Sequence, residues 1–371
     1  MRIAFLLPHL RPGGAERVVV NYLRALDRAR FEPVLLLGRR EGAFLDLVPP
    51  DVEVVDLGGA RARRLPGRLA AELSAKCIDI AYSATDAMNL ALLASRWWGA
   101  RRTRRIVSVH TNPAEHLAEA KRKALRLWAM RRLYPCADLV AAPTEAIARE
   151  LERLIGRRLP ALVLPNPVVE PGTAPRDAPG GRPRIVAAGR LVEAKGHDLL
   201  IDAAAGLGGV EFDLVIHGEG PLRPALERRI AERGLEGRVT LAGHAADLPA
   251  RLRGADLCVL PSRREGFGNV IVEAMAAGVP VLAAACSGPA GLIEDGRNGF
   301  LVPPGDAAAL GAAMAALLAD PARRASVVEA GRRTARRYEI PAATRLFERA
   351  VEALAGKEPR ANHPEAGQAA R

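Results

Sequence analysis

The sequence predicts an α/β protein made of two doubly wound, Rossmann-like domains that face each other across a cleft. Three observations carry that expectation. Short, nearly continuous apolar runs alternate with helical stretches through both halves of the chain, the pattern of parallel strands covered on both faces. Residues 165–183 interrupt the pattern with Pro165, Pro167, Pro171, Pro175, Pro179 and Pro183 and with Gly172, Gly180 and Gly181. The length of 371 residues also exceeds what one typical hydrophobic core holds.

Taken in order, the first half offers strands at 2–8, 33–38, 52–57, 78–83, 104–110, 138–143 and 161–165, with helices between most of them. The second half offers strands near 184–189, 212–217, 238–242, 256–261, 279–285 and 299–302, and helices near 195–206, 221–233, 269–277 and 306–319. A long basic helix is expected over 321–337. The domains expected are therefore 1–168 and 184–340, joined by a linker at 169–183. A helix at 341–355 is expected to pack back on the first domain, and 356–371 is expected to be a disordered tail. Two such sheets place a cleft between the carboxyl ends of their strands, where ligands of doubly wound folds bind.

Charge is unevenly spread. Residues 1–170 carry an excess of +10 and the remainder only +2, so an anionic partner is expected for the first half. Arg61, Arg63, Arg64 and Arg68 fall in a predicted loop broken by Pro66 and Gly67. Lys121, Arg122, Lys123, Arg126, Arg131 and Arg132 share a predicted helix with Leu117, Leu125, Trp128, Leu133 and Tyr134. A basic helix carrying Trp and Leu suits an anionic membrane surface as well as it suits a solvated face. Nucleic acid is not expected, because aromatics for stacking are few. No apolar run reaches the roughly 18 residues that span a bilayer and no cleavable leader is evident, so a cytoplasmic, peripheral protein is expected. Cys77, Cys136, Cys258 and Cys286 are scattered without metal-ligand spacing and read as buried thiols.

The motifs sit at strand ends. Pro12-Gly13-Gly14-Ala15-Glu16-Arg17 follows the first strand and opens a helix, where glycine lets backbone amides approach a phosphate; an ordinary turn reads equally well. His110 ends Ile106-Val107-Ser108-Val109-His110 and is a candidate to hold a proton or a hydroxyl, or to pack as a core histidine. Gly189-Arg190-Leu191 with Lys195-Gly196 supplies a guanidinium fork and a point charge that suit a pyrophosphate. In Glu265-Gly266-Phe267-Gly268-Asn269-Val270-Ile271-Val272-Glu273, two carboxylates flank a turn that opens a helix. Asn269 is expected to cap it, with the amides of Asn269, Val270 and Ile271 free toward a phosphate and Glu273 one turn further in. Asp-x-Asp occurs nowhere, so no metal and no other cofactor is expected, and cationic side chains with a helix N-terminus would stabilise a leaving diphosphate.

Together with Leu164-Pro165-Asn166-Pro167, these motifs resemble, in order and spacing, the retaining GT-B glycosyltransferases of family 4, over residues 1–355. The resemblance implies that Arg190 and Lys195 bind the diphosphate of a nucleotide-sugar donor, that Glu265 contacts the transferred sugar and that Glu273 contacts the ribose. It implies that Gly14 sets its amide near the β-phosphate, that His110 contacts the sugar's primary hydroxyl, and that Gly266, Phe267, Gly268, Asn269 and Val270 complete the cradle. The Gly-Gly-Ala-Glu-Arg opening, Val109-His110-Thr111-Asn112 and Arg131-Arg132-Leu133-Tyr134-Pro135-Cys136-Ala137-Asp138 are similar to bacterial transferases that extend polyprenyl-diphosphate-linked glycans. That narrower likeness implies a UDP-sugar carrying a hexose or N-acetylhexosamine, an anionic lipid-linked saccharide acceptor, and a monomer at the inner face of the membrane. A transferase for a soluble acceptor and a non-catalytic sugar-nucleotide binder remain alternatives.

Overall fold

The computed structural model describes residues 1–59, 64–120, 122–173, 181–245 and 247–356. Every apolar run became a strand. The first sheet holds β1 (Arg2–Leu7), β2 (Glu32–Leu37), β3 (Glu53–Asp56), β4 (Ile80–Ser83), β5 (Arg104–Ser108), β6 (Leu139–Ala142) and β7 (Ala161–Val163), in the order β3-β2-β1-β4-β5-β6-β7. The second holds β8 (Arg184–Ala188), β9 (Asp213–His217), β10 (Val239–Gly243), β11 (Leu257–Leu260), β12 (Val281–Ala284) and β13 (Phe300–Val302), in the order β10-β9-β8-β11-β12-β13. All pairings are parallel. Strand order reverses between β1 and β4 and again between β8 and β11, so each sheet opens a crevice at those carboxyl ends.

Strand alternation decides which helices cover which face. Ile3, Phe5 and Leu7 join the core under the helix Gly14–Ala25, whereas Ala4 and Leu6 join the core under Leu65–Ala75, Asp86–Ala94, Lys123–Leu133 and Glu145–Ile155. The helix Ile340–Ala355 lies on the first of these faces. Phe347, wholly buried, meets Phe5, Tyr22 and Tyr82 with ring centroids 4.5–5.8 Å apart, and Glu348 accepts the Asp27 amide at 2.9 Å. Burying a Phe side chain this completely contributes about 2–3 kcal/mol. Two chain crossings run side by side between the domains: the amides of Val168 and Val169 donate to the Tyr338 carbonyl at 3.0 Å, and the Ile340 amide donates to Val169 at 2.8 Å.

Local chemistry corrects several expectations. Pro66 starts a helix at its first turn, where a missing N–H costs nothing, so Arg64 is its N-cap and Arg68 lies on the helix. The basic segment is two helices, Pro113–Glu119 and Lys123–Leu133, because Arg122 turns left-handed at φ 59°; Leu117 belongs to the first and Tyr134 to a following 3₁₀ turn. The stretch 321–337 is broken into Pro321–Ser326, Val328–Ala335 and a 3₁₀ turn. Cys258 and Cys286 are buried, but Cys77 is exposed and Cys136 half-buried. Arg61, Arg63 and Lys121 lie outside the described residues, as does the tail from 357.

Candidate active site

On the second domain, the end of β8 and the end of β11 are drawn together by glycine. Gly196 holds φ +65°, and a Cβ there would sit 2.2 Å from the Pro261 carbonyl oxygen. That approach sets Lys195, the last residue of the 3₁₀ turn Glu193–Lys195, against the loop after β11. There Lys195 Nζ donates to Glu265 Oε2, and the Ser262 hydroxyl stands 3.5 Å from the same oxygen. Arg263 locks the loop by forking onto Asp198 at 2.7 Å through both nitrogens. The backbone of Glu265 is held as well: its carbonyl accepts the Gly288 amide at 2.9 Å and the Ser287 hydroxyl at 3.3 Å. Arg190 stays exposed at the mouth.

The helix Asn269–Ala276 opens at this loop. Gly268, not Asn269, is its N-cap, at φ +86°, a conformation that favours glycine. Asn269 is instead the first helical residue, and its Oδ1 accepts from Asn166 Nδ2 of the other domain at 3.1 Å. The Ile271 amide is taken by the Gly268 carbonyl at 2.9 Å, leaving the first two amides to face a ligand. Phe267 is buried against Tyr338, ring centroids 5.2 Å apart. Burial pushes the Glu273 carboxyl up to about 7, opposed by the Arg17 guanidinium of the first domain.

The first domain meets this surface with its own strand ends. A Cβ on Gly13 would lie 2.2 Å from Glu16 Oε2, so the glycine leaves room for the Glu16 carboxylate to fold over the turn. Glu16 is buried and its pKa raised by that burial, opposed by its own backbone amide, by His9 and by Arg190 across the cleft. A Cβ on Gly14 would stand 3.4 Å from Asn269 Nδ2. His110 Nε2 sits 3.0 Å from the Ser108 hydroxyl and 3.4 Å from the Tyr82 hydroxyl. Burial pulls its pKa down to about 4, only partly offset by Asn166, so the ring is neutral near pH 7. The two domains touch here: a Cβ on Gly266 would fall 2.2 Å from the His110 carbonyl oxygen and 2.4 Å from Thr111 Cα.

Beside His110 the first domain encloses a cavity of about 340 Å³, largely apolar, with Thr85, Asp86, His116 and Arg126 among its lining. Its polar wall is pre-organised. Arg126 Nε donates to Asp86 at 2.6 Å, Tyr134 donates to Asp86 at 3.3 Å, and Asn89 donates to the Ser108 carbonyl at 2.9 Å. Arg126 thus faces the cavity. Arg68 reaches back to the Asp56 carbonyl at 3.2 Å, and Arg64, Arg122, Lys123 and Trp128 are exposed. The structure therefore brings Gly14, His110, Arg190, Lys195, Glu265 to Val270, and Glu273 around one cleft. Glu16, Arg17 and Asn166 also belong to it; they stand inside the sequence motifs, where nothing singles them out, whereas Asp86 carries no sequence signal. Among the described residues no three His, Cys, Asp or Glu side chains are grouped to hold a metal ion.

Similarity to known proteins follows the same division. Residues 12–170 match the Glycosyltransferase Family 4 model, and residues 173–334 match Glycosyl transferases group 1. A D-inositol 3-phosphate glycosyltransferase of Salinispora tropica is 30% identical over 91% of this chain and 82% of its own length. The lipopolysaccharide core biosynthesis glycosyltransferase LpsE of Rhizobium meliloti is 37% identical over 45% of this chain. That match spans about half of the relative, 48% of its length. Among solved structures, Anabaena HepE in complex with UDP superposes with a TM-score of 0.82 at 24% identity, over 95% of this chain and all of that one, which shows the GT-B fold.

Proposed function

The chain belongs to the group 1, family 4 glycosyltransferases, and from that premise we propose that it moves a hexose or N-acetylhexosamine, with retention, from a UDP-sugar to a lipid-linked, polyprenyl-diphosphate saccharide. The observation that supports a transfer site best is the meeting at the cleft of Lys195–Glu265, the open start of the helix Asn269–Ala276, and His110 from the other domain. A donor diphosphate would lie on the helix start between Arg190 and Lys195, sharing Lys195 with Glu265. Glu265 would hold hydroxyls of the sugar, and Glu273 the ribose. His110, neutral, would hold a sugar hydroxyl without adding charge. The acceptor's proton would pass to the departing phosphate oxygen, and Arg190, Lys195 and the helix dipole would carry the developing charge without a metal. The cavity, which His110 itself lines, would suit the acceptor's reacting sugar.

UDP as the nucleotide rests on the motif resemblance, and the acceptor on the basic first domain and the Arg131–Asp138 stretch. Nucleotide release tests the nucleotide, the acceptor and the role of Glu265. UDP should appear when a UDP-sugar and a short-chain polyprenyl-diphosphate saccharide are both present, and Glu265→Gln should slow it about 10²- to 10³-fold, the scale of losing one transition-state contact. GDP-sugars and ADP-sugars are the comparison arms. Equal turnover on a detached, soluble glycan would overturn the lipid-linked acceptor, and full activity of Glu265→Gln would overturn the donor assignment.

A further inference from the structure

The chain's three tryptophans, Trp97, Trp98 and Trp128, all lie in the first domain, and none enters its core: they are 59%, 60% and 60% exposed. Leu125, one turn before Trp128, is 55% exposed. Large apolar groups displayed together mark a surface that something covers.

The Trp97–Trp98 tip is held rigidly, at an energetic cost. Beneath the 3₁₀ turn Ser95–Trp98, the fully buried Arg105 donates to the carbonyls of Leu92 at 3.2 Å, Ala100 at 3.0 Å and Thr103 at 2.6 Å, and to the Ser95 hydroxyl at 3.4 Å. Burial pulls its pKa down to about 10, so a charged group has been taken out of water to pin this turn. Arg96 points inward to the Cys136 carbonyl at 3.2 Å, which leaves Trp97 and Trp98 outward. Ala100 adopts φ 50° after Gly99 at φ 134°, and Gly67 makes room for the Trp98 ring, since a Cβ there would lie 3.3 Å from it.

The second tip has the same character. The helix Lys123–Leu133 buries only Met130 and turns Leu125 and Trp128 out, three residues apart on one face. Both tips belong to the helical layer that covers the Ala4–Leu6 face of the sheet. Around them Arg64, Arg101, Arg102, Lys123, Arg131 and Arg132 are exposed, whereas Asp86 and Asp138 on these elements are tied to Arg126 and to Arg96 and Arg104. Aromatic rings ringed by cations fit the headgroup region of an anionic bilayer. Inside the same helix, Arg126 and Met130 line the cavity beside His110.

We infer that this face seats Trp97, Trp98 and Trp128 in the interface of an anionic phospholipid bilayer. The inference deepens the lipid-linked acceptor reading and rests on it for its purpose. Because every tryptophan lies on this face, fluorescence reports it alone. Vesicles of phosphatidylcholine with phosphatidylglycerol should shift the emission to the blue and protect it from acrylamide, and phosphatidylcholine alone should do so far less. Trp97→Gln, Trp98→Gln and Trp128→Gln should each weaken co-sedimentation about tenfold, which is 1.4 kcal/mol. Sedimentation without a blue shift would mean purely electrostatic adhesion and overturn the inference, as would no sedimentation at low salt. A blue shift with concentration-dependent self-association and no vesicles would show that copies of the chain cover the face, which also overturns it. UDP release with a detergent-dispersed short-chain acceptor should be unchanged in these variants; if the native protein binds vesicles yet prefers a soluble glycan, the acceptor reading fails instead.

Discussion

Glu273 is a carboxyl that the fold holds at a cost, and replacing it should expose that cost. Its pKa rises from 4.5 to about 7 because burial penalises the anion more than Arg17 favours it. Between those values the folded protein keeps a proton that the unfolded chain releases, so stability falls as pH rises through the window, and the full penalty stands above pH 7. At about 1.4 kcal/mol per unit, the shift caps that penalty at about 3 kcal/mol. Glu273→Gln keeps the shape and removes the ionisation. The variant should therefore be about 2–3 kcal/mol more stable at pH 8 and no more stable at pH 4.5. His110 and His197, both pulled down to about 4 by burial, titrate in the opposite sense, losing stability as pH falls below 6.5. They do so in both proteins and cancel in the difference. Urea unfolding should be followed by far-UV circular dichroism, because all three tryptophans lie in the first domain and would not report the second. If the anion is retained for a nucleotide's ribose, the same variant should bind UDP about tenfold more weakly at pH 8. Equal stability at pH 8, or a gain independent of pH, would refute the electrostatic argument. A gain with unchanged UDP affinity would refute the ribose role.

Gly266→Ala should hold the cleft open, since its Cβ would lie 2.2 Å from the His110 carbonyl oxygen; transfer should fall at least a hundredfold while UDP still binds, with closure read by small-angle scattering. Arg105→Leu strips donors from three carbonyls and a hydroxyl and should cost about 3 kcal/mol, read from the shifted urea midpoint of tryptophan fluorescence. Lys195→Met leaves the Glu265 carboxylate without its ion-pair partner, so its loss of UDP affinity should exceed that of Arg190→Met, whose side chain is exposed and has no bond to Glu265; calorimetric titration separates the two.

The fold was legible because its signals are local. Thirteen apolar runs of strand length, punctuated by Gly and Pro, became thirteen parallel strands, since strands covered on both faces draw mostly on apolar residues. The motifs at strand ends were legible for the same reason, because a glycine turn that opens a helix writes itself into six or seven consecutive residues. Across the cleft that logic stops. Asn269 is a good N-cap by type, yet Gly268 caps the helix, and the Asn269 amide group is turned to Asn166, 103 positions earlier in the chain. Arg126 belongs by composition to a basic surface, yet Asp86, brought beside it by the packing of two helices, draws it inward. Trp97 and Trp98 follow an apolar helix and would pass for core; only the buried Arg105 beneath the turn shows that the backbone is fixed to face them out. Each of these residues takes its role from a partner set by the juxtaposition of sheets and layers. A cleft between two domains therefore hides its cross-chain contacts more deeply than its turns: Glu265 to Glu273 are chain neighbours, whereas Asn166 with Asn269 and Asp86 with Arg126 meet only after folding.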